Sequence, residues 1–66
     1  MHIFINGEQA DPKGARTVAE LVQRYQMPPQ SVLVEHNGTA LHLREWAQRR
    51  LLNGDRVEII RVVAGG

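Results

Sequence analysis

Thr17-Val18-Ala19-Glu20-Leu21-Val22-Gln23-Arg24-Tyr25 decides how this 66-residue chain folds. Thr17 and Glu20 stand three apart in a capping-box pattern, in which each side chain satisfies a free backbone N–H at a helix start. Val18, Leu21, Val22 and Tyr25 then fall at i, i+3, i+4 and i+7, one apolar stripe along a helix. Burying such side chains contributes roughly 1.5–3 kcal/mol each, a large share of a small core. Met27-Pro28-Pro29 ends the helix, because a residue before proline is pushed out of the helical region. A single stripe needs a single apolar surface to cover, and the flanking segments supply it.

On the N-terminal side, Met1-His2-Ile3-Phe4-Ile5 is a short β-prone run closed by Asn6-Gly7. Asn-Gly is the strongest two-residue hairpin signal, since both central positions need positive φ. Glu8-Gln9-Ala10 returns as a weaker strand, and Asp11-Pro12-Lys13-Gly14 breaks it. Beyond the helix, Val32-Leu33-Val34-Glu35 reads as a strand ending at a second Asn-Gly, Asn37-Gly38. Leu43, Trp46, Ala47 and Leu51 sit at helical spacing and predict a short helix or a turn of one. Asn53-Gly54-Asp55 is a third turn, and Arg56 to Val63 is the last strand. The order is strand, strand, helix, strand, short helix, strand, an α+β domain with one covered sheet face. Met1, Ile3, Ile5, Val57 and Ile59 are expected to face the helix, which places Phe4, Ile60 and Val62 on the open face. A half-solvated sheet is normally polar there, so this patch is a candidate docking site, although scattered surface hydrophobics are common.

The composition removes several classes of function. Hydrophobic content of 42% and charged content of 23% are those of a globular domain. There is no cysteine, which excludes a disulfide framework and a thiolate metal site. A net charge of +1 is too small to point to nucleic acid or membrane. No apolar run approaches the ~18 residues of a membrane span, and no signal segment is visible, so a cytoplasmic protein is expected.

The chain ends in Val63-Ala64-Gly65-Gly66. Two successive glycines at a terminus arise by chance well under about one time in a hundred. They have no side chains to pack, they lie in channels too narrow for other residues, and they leave the Gly66 α-carboxylate as the distinctive group. Such a tail is suited to threading into a partner's active site. We expect a folded unit over residues 1–62 and a flexible tail over 63–66.

The opening strand with Asn6-Gly7, the helix begun by Thr17-Val18, Arg44-Glu45-Trp46-Ala47, Gly54-Asp55-Arg56-Val57 and the final Gly65-Gly66 together resemble the ThiS family of thiamine-pathway sulfur carriers. The resemblance spans essentially the whole chain and implies a ubiquitin-like β-grasp fold, a mixed sheet packed on one main helix. It implies that Gly66 is adenylated by a partner resembling ubiquitin-activating enzymes, at the expense of ATP. Sulfur from a cysteine desulfurase or relay protein would then give a thiocarboxylate for thiazole synthase. In this scheme the chain is no enzyme and binds no cofactor; Gly65 and Ala64 thread the partner's channel. Phe4, Ile60 and Val62 would contact the partners, with Arg56 and Arg61 at the rim.

Other readings fit fewer residues. The same tail resembles that of the molybdopterin synthase small subunit, usually a longer chain with a wider gap before its helix, and a ubiquitin-like modifier would share it too. Val32 to Ile59 also resembles the end of a small ribosomal RNA-binding domain. That family places a strongly basic helix first, whereas this helix carries Glu20 and only Arg24. Arg44, Arg49 and Arg50 read as a solvated face or a docking surface. His2, His36 and His42 share neither a strand face nor an i,i+4 spacing, so they read as exposed or loop residues, and no metal site is expected. Ser31 lacks the setting of a phosphopantetheine attachment serine, and no nucleophile–base pair is evident.

Overall fold

The computed structural model describes residues 1–63. It forms five strands, β1 (Ile3–Ile5), β2 (Glu8–Ala10), β3 (Val32–His36), β4 (Thr39–Leu41) and β5 (Arg56–Arg61), around one α-helix, α1 (Val18–Arg24). The sheet order is β2-β1-β5-β3-β4. β1 and β5 are parallel, and the other neighbours are antiparallel. The parallel pair lies at the centre because the chain crosses over through α1 between them, as a parallel connection requires. Neither β4 nor the 3-10 turn at Pro29–Ser31 is expected from the sequence. Thr39-Ala40-Leu41 is too short to show alternation, yet Asn37 and Gly38 both take positive φ (51° and 87°) and fold it back on β3.

The helix begins as its capping pattern predicts, with one displacement. Thr17 Oγ1 accepts from Glu20 N (3.2 Å), but Glu20 Oε1 accepts from Arg16 N (2.7 Å). Thr17 instead forms an isolated bridge with Arg50. The backbone bonds Val18 N to Arg49 O and Leu51 N to Arg16 O tie this helix start to the segment preceding β5 (both 2.9 Å). The helix ends at Arg24, before the prolines. Gln26 enters the left-handed region (φ 58°), Met27 N bonds Val22 O (3.2 Å) and Gln26 N bonds Gln23 O (2.9 Å), a Schellman cap without glycine.

Ile3, Val18, Leu21, Val22, Val34 and Val57 are fully buried, and Trp46 and Leu51 close the far side. Tyr25, expected in the apolar stripe, is only half-buried: its hydroxyl donates to Asp11 O (2.6 Å), and Lys13 Nζ lies 4.1 Å from its ring centroid. Met1 is exposed, since it precedes β1. The second helix is a 3-10 helix, Leu43–Gln48. At three residues per turn it presents a narrow face. Trp46 alone in it is buried, Leu43 and Ala47 are exposed, and Leu51 reaches the core from beyond its end.

Candidate functional site

The last strand is clamped at its start by side chains and held at its end by backbone bonds alone. Its start is held by Asp55, a buried carboxylate beneath the β3–β4 turn. Asp55 Oδ2 accepts from Leu52 N (2.8 Å) and from His36 Nε2 (2.8 Å), and Oδ1 accepts from Asn37 Nδ2 (3.1 Å). Arg49 Nε donates to His36 Nδ1 (3.2 Å), which leaves the Nε2 proton to point at Asp55. Burial raises the Asp55 pKa, but the bonds from Leu52, Asn37 and His36 outweigh it and hold the carboxyl below its ordinary value. Asn37 Oδ1 completes the clamp by accepting from Arg56 N (2.8 Å). His36 is therefore a buried strand residue and not the exposed histidine expected, and Arg49 is a half-buried member of the same network. A histidine in alternation with Val32 and Val34 is the available signal.

At the other end of β5 the ladder stops at Arg61, two residues short of the expected strand end. Val62 N makes one more bond, to Ser31 O (2.7 Å), and Val63 is 82% exposed. The expected functional glycines, Gly65 and Gly66, and the adjoining Ala64 lie outside the described residues. The body thus delivers them from the central strand of the sheet.

The open face of that sheet is built rung by rung. β3 and β5 pair Leu33 with Ile60 and Glu35 with Glu58. Directly opposed residues share a face, and successive same-face rungs lie about 7 Å apart. Leu33 (59% exposed) and Ile60 (49%) make an apolar rung next to Val62 (45%), where the chain leaves. The next rung is Glu35 and Glu58, and beyond it Arg56 lies level with Phe4. Phe4 is half-buried, with the His2 ring edge-on to it at 5.9 Å.

The structure therefore brings Ile60 and Val62 together as expected, but it separates them from Phe4. Ile60 and Arg56 are four residues apart along β5, about 13 Å, and Glu58 stands between them. Leu33 takes the place assigned to Phe4. Its exposure follows from alternation between buried Val32 and Val34, a signal present in the sequence. Arg61 alternates with Ile60 and is in register with buried Val32, so it projects from the exposed end of the helix-covered face. Among the described residues no group of three His, Cys, Asp or Glu is placed to hold a metal, and no helix is long and apolar enough to cross a membrane.

One α-helix laid across a mixed five-stranded sheet of this order defines a ubiquitin-like β-grasp domain. The chain belongs to the ThiS family, which it matches over residues 3–66. The crystal structure of a thiamine biosynthesis protein, ThiS, from Geobacter metallireducens superposes with a TM-score of 0.80 at 29% identity, over all of both chains. A solution structure of a thiamine biosynthesis protein from the same organism gives 0.79 at 29% identity, over all of this chain and 88% of the other. An uncharacterised protein of Trieres chinensis, ycf40, is 24% identical over 63 residues, 96% of this chain and 86% of its own length.

Proposed function

We propose that this chain is a sulfur carrier of thiamine biosynthesis whose working group is the α-carboxylate of Gly66. The observation that carries the reading is the ThiS family match, which runs through the final glycines. The fold supports it, because the strand leading to them is central in the sheet and anchored at its far end by Asp55.

An α-carboxyl has a reference pKa of roughly 3.3–3.7, so it is ionised at neutral pH and is a poor acyl donor. A carboxylate oxygen of Gly66 attacks the α-phosphate of ATP in an activating enzyme, an O–P bond forms, and pyrophosphate leaves. The outer sulfur of a persulfide on a cysteine desulfurase or relay protein then attacks the acyl carbon and AMP leaves, giving an acyl disulfide. A second partner thiol attacks the cysteine-bound sulfur, the S–S bond breaks, a disulfide forms on the partner, and the thiocarboxylate is released. Thiazole synthase accepts that sulfur. The carrier contributes no catalytic side chain and is substrate or product in every step, so it is not itself an enzyme. Gly65 and Ala64 thread the channel. Ile60 and Val62 contact the partners beside the exit, Phe4 and Arg56 at the far end of the face, and Arg61 at the sheet's end.

The test is deletion of Gly66. The truncated chain is expected to keep its unfolding curve and to lose ATP–pyrophosphate exchange with the activating enzyme. Exchange at the full rate would refute the carrier role.

A further inference from the structure

We infer that the open sheet face is read by a protein partner with two features: an apolar surface covering Leu33, Ile60 and Val62, and a basic side chain entering between Glu35 and Glu58. The inference rests on the carrier reading and identifies the chemistry its activating partner must present. Leu33 and Ile60 are in register, as are Glu35 and Glu58, so the apolar and acidic rungs are adjacent on one face. Like charges directly opposed across two strands destabilise a sheet. Among the described residues the only acid–base side-chain pair within bonding distance is His36 with Asp55, so neither glutamate is bonded to a lysine or arginine. Arg56, nearest along β5, is in register with Phe4 and is not bonded to either glutamate. By contrast, every carboxylate oxygen of the buried Asp55 is satisfied.

The charge pattern also selects among occupants. A second copy docked face to face would bring two acidic rungs onto one desolvated interface, which like-charge repulsion opposes. A partner with a guanidinium on the flank of an apolar patch fits, because its planar fork can donate to both carboxylates at once. The apolar rung lies on the tail side of the acidic one, so the two features also fix which way along β5 the partner lies. That orientation sets the tail toward one end of the partner.

The experiment uses the full chain and the ATP-dependent adenylating enzyme of the same source. Binding is measured by calorimetry at low and high salt for the native chain, for E35Q/E58Q and for L33D. The glutamine pair is expected to unfold at the same or higher urea concentration, to bind about 10-fold more weakly, and to show a flatter salt dependence. L33D is expected to abolish detectable binding while remaining folded. Equal affinity and equal salt dependence for E35Q/E58Q, with the native chain adenylated normally, would overturn this inference alone. A native chain that binds but is never adenylated would instead overturn the carrier reading. Dimerisation of the native chain through Leu33, seen by sedimentation and lost in L33D, would make a second copy the occupant and also overturn the inference.

Discussion

The two faces of the sheet are cut from the same strands by alternation, yet they obey opposite rules. On the helix side Ile3, Val57, Ile59, Val32 and Val34 are all buried. The polar groups that share that side, His36 and Asp55, are bonded at every position the network offers. On the open side the apolar residues Leu33 and Ile60 are 59% and 49% exposed, and Glu35 faces Glu58 with no cation among the described residues bonded to either. One face is packed beneath the helix, where among the described residues only the Trp46 indole N–H is a buried side-chain donor without a partner, and the other face stays open. The last strand ends at Arg61, beside the apolar rung of the open face.

The sharpest way to break this contrast is to truncate one residue on each side. Leu21→Ala removes a fully buried side chain under the sheet and is expected to cost about 2–5 kcal/mol, enough to unfold much of a domain this small. Ile60→Asp, on the open side, is expected to cost no more than about 1 kcal/mol, the span of strand propensity, while weakening partner binding. Urea unfolding of both variants beside the native chain decides it. Equal large losses would mean that Ile60 is core and that the faces are inverted.

A second test probes the polar end of the covered face. Asp55→Ala leaves Leu52 N, Asn37 Nδ2 and His36 Nε2 without their acceptor, an expected loss of roughly 2–3 kcal/mol at neutral pH. The folded pKa of Asp55 lies below its ordinary 3.8. Its contribution is therefore complete above that ordinary value and is lost as pH falls through the lower, folded value. Urea midpoints taken from neutral pH into the acid range should show the native chain converging on the variant only there. A constant gap down to the lowest pH would remove the charge of Asp55 from the argument.

Much of this contrast is legible in the amino-acid sequence. Alternation in the first and last strands divides the faces, and the Thr17–Glu20 pattern with its apolar stripe sets the helix. What escapes a sequence reading does so for physical reasons. β4 is three residues long, so periodicity has nothing to count; the turn that makes it is visible, the strand is not. The 3-10 helix mimics α-helical spacing because Leu43 and Trp46 are three apart in either geometry, although only one of them is buried. His36 is misjudged because a histidine's burial depends on partners distant in sequence, here Arg49 and Asp55. Leu33 is passed over as a site residue because strand register, which sets it beside Ile60, is a long-range fact. The acidic rung escapes for the same reason.

The smallest effect lies at the β1–β2 turn, where a local signal hides a long-range role. Asn6 takes φ 52°, as its hairpin requires, and its sequence context credits it with that alone. In the structure its side chain also acts as one more strand residue beside β5. Asn6 Oδ1 accepts from Ile59 N (2.8 Å) and Nδ2 donates to Ile59 O (3.1 Å), while Asn6 N donates to Val57 O (3.0 Å). Asn6→Gly keeps the left-handed backbone without strain and removes only the side-chain pair. The expected loss is about 1–2 kcal/mol, two ordinary hydrogen bonds partly replaced by water. Asn6→Asp tolerates the same φ and keeps an acceptor for Ile59 N, but it sets a carboxylate against the Ile59 carbonyl, so it should fall at least as far as glycine. Amide exchange at Ile59 gives the direct reading, since that N–H should lose protection in Asn6→Gly while Val34, across β3, keeps its own. Unchanged stability and unchanged exchange in Asn6→Gly would mean that the turn selects asparagine for its backbone alone. The strand that carries the tail would then be held only by its two neighbours and the Asp55 clamp.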